Sequence, residues 1–366
     1  MNYNKIVQGI LDIGEAMLQS GAENFRLEDS FYRMCRSYGF KRSDVFVIPS
    51  NIQVTVETPE GEIITQIRHI ESSEPNFDQL DYLNNLCRYV CQHTPDENEM
   101  REKYLEVINR EPQKRITRYA AGIMGGTGFA VFFGCNLRDA VIAFIVSVMI
   151  VAVGDWLAKR ESNLLVYNGI LAFISEVIII GALKMGIAEH PDRIMIGIVM
   201  LLISGLSTTN GIRDLLQRDF ISGFINIMNS FLGAAGIAFG IGLAIILFHE
   251  GYSDHFILNH SVPIQLLSCT VACTGFALWF KIRGKQVWYN SIGAFFTWAI
   301  YVAVYAVKPS NFMATMIAAG FVGFYAFIMS RVNKAPSTIF LTASVFPLIP
   351  GPNLYYVMYG CVSQDP

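Results

Sequence analysis

The sequence predicts an α-helical polytopic membrane protein with inverted-repeat halves, preceded by a small soluble α+β domain. Three observations predict it. Apolar runs, each close to the roughly 17–25 helical residues that cross a bilayer, fill the chain from Tyr119 to Phe248 and from Val262 to Tyr359. Two landmarks recur about 147 residues apart: Thr127-Gly128-Phe129-Ala130 returns as Thr274-Gly275-Phe276-Ala277, and Leu202-Ile203-Ser204-Gly205 as Leu348-Ile349-Pro350-Gly351. The chain is 52% hydrophobic and only 16% charged, whereas soluble domains carry about a quarter charged residues. Most acidic residues fall before residue 112.

Residues 1–116 read as the soluble head. Ile6, Ile10, Ile13, Met17 and Leu18 recur near helical spacing until Gly21. A second helix from Glu23 to Ser37 carries Phe25, Leu27, Phe31 and Met34 and ends before Gly39. Asp44–Pro49, Ile52–Thr58 and Glu62–Ile70 are rich in β-branched residues, with Thr58-Pro59-Glu60-Gly61 as a hairpin turn. Helices over Phe77–His93 and Asp96–Arg110 complete the head.

From Ile116 onward ten spans are expected, near 117–135, 138–158, 164–184, 193–209, 220–248, 262–281, 287–306, 310–330, 336–350 and 352–363. Cytoplasmic loops carry the excess of Lys and Arg. A cytoplasmic head puts Lys159, Arg160, Arg213, Arg218, Lys281, Arg283, Lys285, Arg331 and Lys334 inside, and leaves Arg138, Lys184, Arg193 and Lys308 outside. The start shows no signal-peptide apolar core, which agrees with a cytoplasmic N-terminus. The first membrane half is 117–248, with five spans, and the second is 262–366. After an odd number of spans the second half enters from the opposite side, so the repeat is expected to be inverted. Nothing in the second half matches Ile221–Phe248, and the native chain is expected to continue beyond Pro366.

Composition excludes several classes. A net charge of −3 with no basic stripe gives no sign of nucleic-acid binding. Seven dispersed cysteines read as free thiols. No nucleophile stands beside a base, and Gly122-Ile123-Met124-Gly125-Gly126-Thr127-Gly128 follows no strand, so close helix packing explains it better than a phosphate loop. His249, His255 and His260 with Glu250 and Asp254 are irregularly spaced in a linker. Cys87/Cys91 and Cys269/Cys273 each lack the second pair a zinc site needs, so neither a metal nor a cofactor is expected.

Repeats of this kind build secondary transporters, which hold substrate where the halves meet. Glu176 lies near the middle of the third span. An intramembrane carboxyl is costly and faces a cavity or a partner, which makes Glu176 the candidate for proton coupling; a protonated, hydrogen-bonded structural Glu is the bland alternative. Ser204, Gly205, Ser207, Thr208 and Asn210 interrupt the fourth span, and Pro350, Gly351 and Asn353 interrupt the equivalent stretch of the second half. Paired interruptions expose half-helix ends that can bind the charged groups of a zwitterion; a polar loop is the plainer reading. Asp214, Asn226 and Asn229 are secondary candidates, with interhelix hydrogen bonding the simpler role for the two amides. Asp155-Trp156 at a span end reads as an interface anchor.

Gly21-Ala22-Glu23-Asn24-Phe25-Arg26-Leu27-Glu28-Asp29 with Tyr38-Gly39, the strand region at Pro49, the Gly-rich first span and Gly211-Ile212-Arg213-Asp214-Leu215-Leu216 resemble the N-terminal part of threonine/serine exporter (ThrE-like) proteins. Thr274-Gly275-Phe276-Ala277 and Pro347-Leu348-Ile349-Pro350-Gly351 resemble their C-terminal part. The resemblance covers nearly the whole chain in the expected order. It implies a multi-pass bacterial inner-membrane exporter of threonine and serine, not an enzyme, with a cytoplasmic head and the proton-motive force as driver. Two-protein versions of this architecture are associated with dicarboxylate (succinate) export, the alternative substrate class. Ser204-Gly205 stands where the family often has Pro-Gly, and the family usually continues past its second Pro-Gly into another span. The expected partners are therefore a small amino acid or carboxylate, protons, the bilayer and a possible second copy of the chain. A reading of another class makes the head an anchored enzyme or sensor using Arg26, Glu28 and Asp29, although charges on a helix face more often form a solvated surface.

Overall fold

The computed structural model describes residues 2–71, 74–203, 205–248, 261–349, 351, 353, 355–357 and 360. The head begins with α1 (Tyr3–Gln19) and α2 (Asn24–Ser37), continues through the strands β1 (Arg42–Ile48), β2 (Asn51–Glu57) and β3 (Ile63–His69), and ends with α3 (Phe77–His93) and α4 (Glu97–Ile108). Side-chain caps set several helix starts: Asn2 accepts from the Lys5 N–H, Asn76 from that of Gln79, and Asp96 from those of Asn98 and Glu99. Each cap satisfies backbone donors that a helix start leaves without a partner.

The strands form an antiparallel meander in the order β1-β2-β3, with Val54 opposite Val45 on one side and Gln66 on the other. Between β2 and β3 the chain reverses at Thr58–Glu62, where Gly61 sits at φ +89. Ile52, Val54 and Val56 are buried against the helices, as the period of two requires. Leu27, Phe31 and Met34 of α2 are fully buried, but Phe25 is exposed, so that aromatic lies off the buried stripe. The head core does not end at the head. Its apolar cluster continues into Ala277, Ile282, Ile339, Phe340 and Ala343, and the Phe77 N–H donates to the Phe280 carbonyl at 3.0 Å.

The helical part contains α5 (Arg115–Phe132), α6 (Leu137–Leu157), α7 (Leu164–Lys184), α8 (Pro191–Leu202), α9 (Gly205–Leu216), α10 (Phe220–Phe248), α11 (Val262–Trp279), α12 (Lys285–Val307), α13 (Asn311–Asn333) and α14 (Ser337–Val345), followed by a 3-10 turn at Phe346–Leu348. Among the described residues six helices, α6, α7 and α10 to α13, are long and apolar enough to cross a membrane, and α8 with α9, bent by 57° at their break, makes seven if the pair is taken as one span. Length and hydropathy alone thus pick out fewer than the ten expected spans, without excluding α5, which packs along the counted span α11. The expected first span, α5, falls outside the count because two arginines and many glycines lower its hydropathy. The expected ninth span is a nine-residue helix and a 3-10 turn, and most of the tenth lies outside the described residues.

At the repeat offset, α5 corresponds to α11, α6 to α12, α7 to α13 and α8 to α14. Among the described residues α10 has no counterpart. It packs along α7 instead, with Gly236 against Leu165 and Gly240 against Gly169. The equivalent helices α5 and α11 cross at the centre and run antiparallel: Gly122 meets Trp279, Gly125 meets Gly275 and Phe276, and Gly128 meets Ala272. A Cβ at Gly275 would lie 2.5 Å from the Gly125 nitrogen. Such backbone-to-backbone approach is how small residues hold helices together where lipid removes the hydrophobic driving force.

Candidate functional site: two helix breaks beneath the head

The two interrupted segments share one backbone design. Ile203 ends α8 in an extended conformation (φ −74, ψ 128), and Ile349 ends the 3-10 turn in nearly the same one (φ −69, ψ 127). The next helix begins two residues later in both halves. The Gly205 N–H donates to the Ile203 carbonyl at 3.0 Å, and the Gly351 N–H to the Ile349 carbonyl at 2.8 Å. The breaks also meet in space. A Cβ at Gly205 would lie 3.1 Å from Ile349 Cδ1, and one at Gly351 would lie 2.7 Å from Met200 Sδ.

Between the breaks runs a crevice lined by Gly205, Thr209, Asn210 and Arg213 of α9 and by Thr338 and Thr342 of α14. Gly205 and Asn210 therefore reach it. Thr208 does not line it: its hydroxyl shares a hydrogen bond of 2.6 Å with Ser230 on α10. Ser207 is on α9, Gly351 is buried behind the second break, and Asn353 is exposed on the helical turn that follows. Ser204 and Pro350 lie outside the described residues.

The head closes one end of this crevice. Arg213 Nη1 is 2.6 Å from Glu23 Oε1, the Thr338 hydroxyl donates to the same carboxylate, and Arg26 joins Glu23 Oε2 at 3.3 Å. Arg26 Nη2 also donates to Ser337 Oγ at 2.6 Å. Beside this tie, buried Asp214 accepts from Asn226 at 3.0 Å and from Asn24 at 3.5 Å. Asn229 is exposed on α10. Glu23 and Arg26 come from one head motif and Arg213 and Asp214 from a motif far along the chain, so the fold gathers residues that the sequence separates.

At the far end of α8, Asp139 is fully buried and accepts the Glu189 N–H at 2.8 Å, the His190 N–H at 3.3 Å and the His190 ring nitrogen at 2.9 Å. Asp192 accepts the Tyr356 hydroxyl at 3.2 Å, which joins the start of α8 to the helix after the second break. Neither acid stands out in the sequence; for Asp139 the available signal is the capping pattern Asn136-x-x-Asp139.

Glu176 is fully buried on α7, on the stripe that includes Asn168, Ala172 and Ile179. Asn168 donates to the Gly233 carbonyl at 3.2 Å and to that of Leu202, the last residue before the first break, at 3.4 Å. Two helical turns separate the amide from the carboxyl, about 12 Å along the axis. Among the described residues no three His, Cys, Asp or Glu side chains gather where a metal could bind.

Residues 8–248 match a family model described as "Putative threonine/serine exporter", and residues 265–366 match one described as "Threonine/Serine exporter, ThrE". A curated threonine/serine exporter of Corynebacterium glutamicum is 23% identical over 370 residues, covering 96% of this chain and 75% of the relative. A "Probable threonine/serine exporter" of Mycobacterium tuberculosis (strain ATCC 25618 / H37Rv) is 21% identical over 384 residues, covering 100% of this chain and 72% of the relative. No solved structure matches.

Proposed function

This chain belongs to the threonine/serine exporter family of multi-pass membrane proteins, and we propose that it exports threonine or serine from the cytoplasm through the crevice between its two helix breaks, in exchange for protons. The observation that carries this reading is the matched, mutually facing pair Ile203–Gly205 and Ile349–Gly351. A helix start carries unsatisfied N–H groups and partial positive charge, and a helix end carries carbonyls and partial negative charge. The opening of α9 then receives the substrate carboxylate and the end of α8 its ammonium, with Asn210 beside them. Antiparallel packing of α5 on α11 supports an inverted repeat over 117–248 and 262–366.

Glu176 is the proposed proton carrier, because it is an acid buried on the same α7 stripe as the amide that holds the first break. The head, residues 1–116, is taken as cytoplasmic from loop charge. Its Glu23–Arg213–Thr338 tie then acts as the inner closure of the path. An impermeant thiol reagent applied to intact cells should label Lys308→Cys, exposed between α12 and α13, and spare Ser50→Cys on the head; the reverse pattern sinks the orientation.

Transport itself is tested with purified protein in liposomes loaded with threonine, serine or succinate, with the outside made acidic. Uphill efflux of threonine or serine, abolished by an uncoupler, is the expected result. Efflux of succinate alone would replace the amino-acid reading by a dicarboxylate one. No efflux of any of the three removes the transport assignment.

A further inference from the structure

A second cavity lies against the head and shares Thr338 with the crevice between the helix breaks. It is a cleft of about 570 Å³ between α2 and α3, floored by Pro336 and Thr338 at the start of α14. That size suits a small organic ligand, since such sites run from about 300 to 1,000 Å³. Met17, Leu80 and Cys87 give it an apolar base, and its walls carry both signs of charge.

Two donors on these walls are unspent. Arg88 lines the cleft and makes no ion pair among the described residues. Asn84 Nδ2 is buried there without a hydrogen-bond partner among the described residues. A buried donor left unmatched costs stability unless something fills the role. The opposite wall offers Asp29, held by Arg33 at 2.8 Å, and Glu23. Donors facing carboxylates across a few hundred Å³ form a receptor for a molecule carrying both charges.

We propose that this head cleft is a second binding site for a small zwitterionic amino acid, its carboxylate on Arg88 and Asn84 and its ammonium towards Asp29 and Glu23. The choice of ligand rests on the transport reading above; the cleft itself does not. Its position gives it a consequence. Glu23 belongs both to the cleft and to the tie with Arg213 and Thr338, and Arg26 both to the cleft and to the bond with Ser337. A ligand drawing on Glu23 loosens the hold of the head on α9 and α14, so occupancy of the cleft opens the inner closure when amino acid is abundant.

The test uses the full chain in lipid nanodiscs, titrated calorimetrically with L-threonine, succinate or inorganic phosphate, on the wild type, Arg88→Ala and Asn84→Leu. Thermal unfolding of each preparation establishes that the variants are folded; Arg88 is on the surface, so at least that variant should be. Threonine affinity should fall tenfold or more for one class of site in both variants, and succinate and phosphate should not compete. Threonine binding that is unchanged in the folded variants, or absent from the wild type, overturns the proposal. So does Arg88-dependent binding of succinate or phosphate in place of threonine. Liposome efflux measured on the same preparations separates the two readings. Arg88-dependent threonine binding without efflux removes the transport assignment and keeps the cleft, whereas efflux without such binding removes the cleft alone.

Discussion

Glu23 at the entry to α2 and Arg213 near the end of α9 stand 2.6 Å apart, and this contact ties the head to the helix that follows the first break. Glu23 keeps 11% of its side-chain surface exposed and Arg213 26%. The pair is therefore mostly desolvated, and removing Arg213 leaves the Glu23 charge held only by Arg26 and Thr338 among the described residues. Arg213→Gln should lower the unfolding free energy by about 2 kcal/mol. The double variant Glu23→Gln/Arg213→Gln should recover about 1 kcal/mol of that loss, as contacting residues do. Thermal unfolding in detergent measures the cycle; strictly additive losses would mean the two side chains are not coupled.

The α5–α11 crossing makes a sharper prediction about glycine. Gly275→Ala forces a Cβ against the Gly125 nitrogen and the Ala121 carbonyl, at 2.5 and 2.8 Å. Backbone cannot move aside as a side chain can, and overpacking of this kind costs about 1–3 kcal/mol. Gly320→Ala on α13 meets nothing within 4 Å and should leave stability unchanged or slightly raised. Equal effects of the two substitutions on the melting temperature would contradict so close a crossing.

Much of this architecture is legible in the sequence for definite reasons. Long apolar runs mark α6, α7 and α10 to α13, and the recurrence of Leu202–Gly205 at Leu348–Gly351 marks the two breaks. Which hydroxyl faces the crevice is not legible. Thr208 and Thr209 are one residue and about 100° apart on α9, and only packing against α10 turns the first to Ser230 and leaves the second on the crevice wall. The Glu23–Arg213 tie was equally hidden, because it depends on how the head docks. Phe25 shows the same limit: apolar character suggests burial, and the helix phase puts the ring outside.

The crevice geometry ranks two substitutions on α9. Asn210→Ala removes a polar group from the proposed binding wall and should raise the threonine concentration for half-maximal efflux about tenfold, equivalent to ~1.4 kcal/mol. Thr208→Val breaks the bond to Ser230 instead and should change that concentration less than Asn210→Ala does. A reversed order, measured as efflux against internal threonine, moves the substrate to the α10 side of α9.

Glu28 gives the head a pH dependence with a definite sign. Burial is the main reason its carboxyl sits above the usual value of 4.5, with Asp219 and Asp214 pushing the same way and the Val47 N–H opposing. A carboxyl raised in the folded state holds its proton more tightly there than in the unfolded chain, so folding is penalised as pH rises through the raised value. Glu28→Gln should therefore stabilise at neutral pH, by less than about 1 kcal/mol because the site is half-exposed. The advantage should fade as pH falls towards 4.5. A stabilisation that grows on acidification would contradict this assignment.

Glu176 separates coupling from binding. The carboxyl is fully buried on α7, and the amide of Asn168, two turns away on the same stripe, holds the carbonyl of Leu202 at the first break. Protonation or charging of Glu176 can thus bear on the helix whose end frames the crevice. Glu176→Gln keeps shape and hydrogen-bonding capacity while removing the ability to ionise, so the protein should insert and melt normally. The variant should still exchange labelled threonine across the membrane at equal concentrations. Concentrative efflux driven by a pH gradient should be lost, and the pH dependence of exchange should flatten. The two assays must be read together, because a variant that merely misfolds loses both. If Glu176→Gln drives threonine uphill with the pH profile of the wild type, the proton moves through another acid, and the buried Asp139 beside His190 at the opposite end of α8 becomes the residue to substitute next.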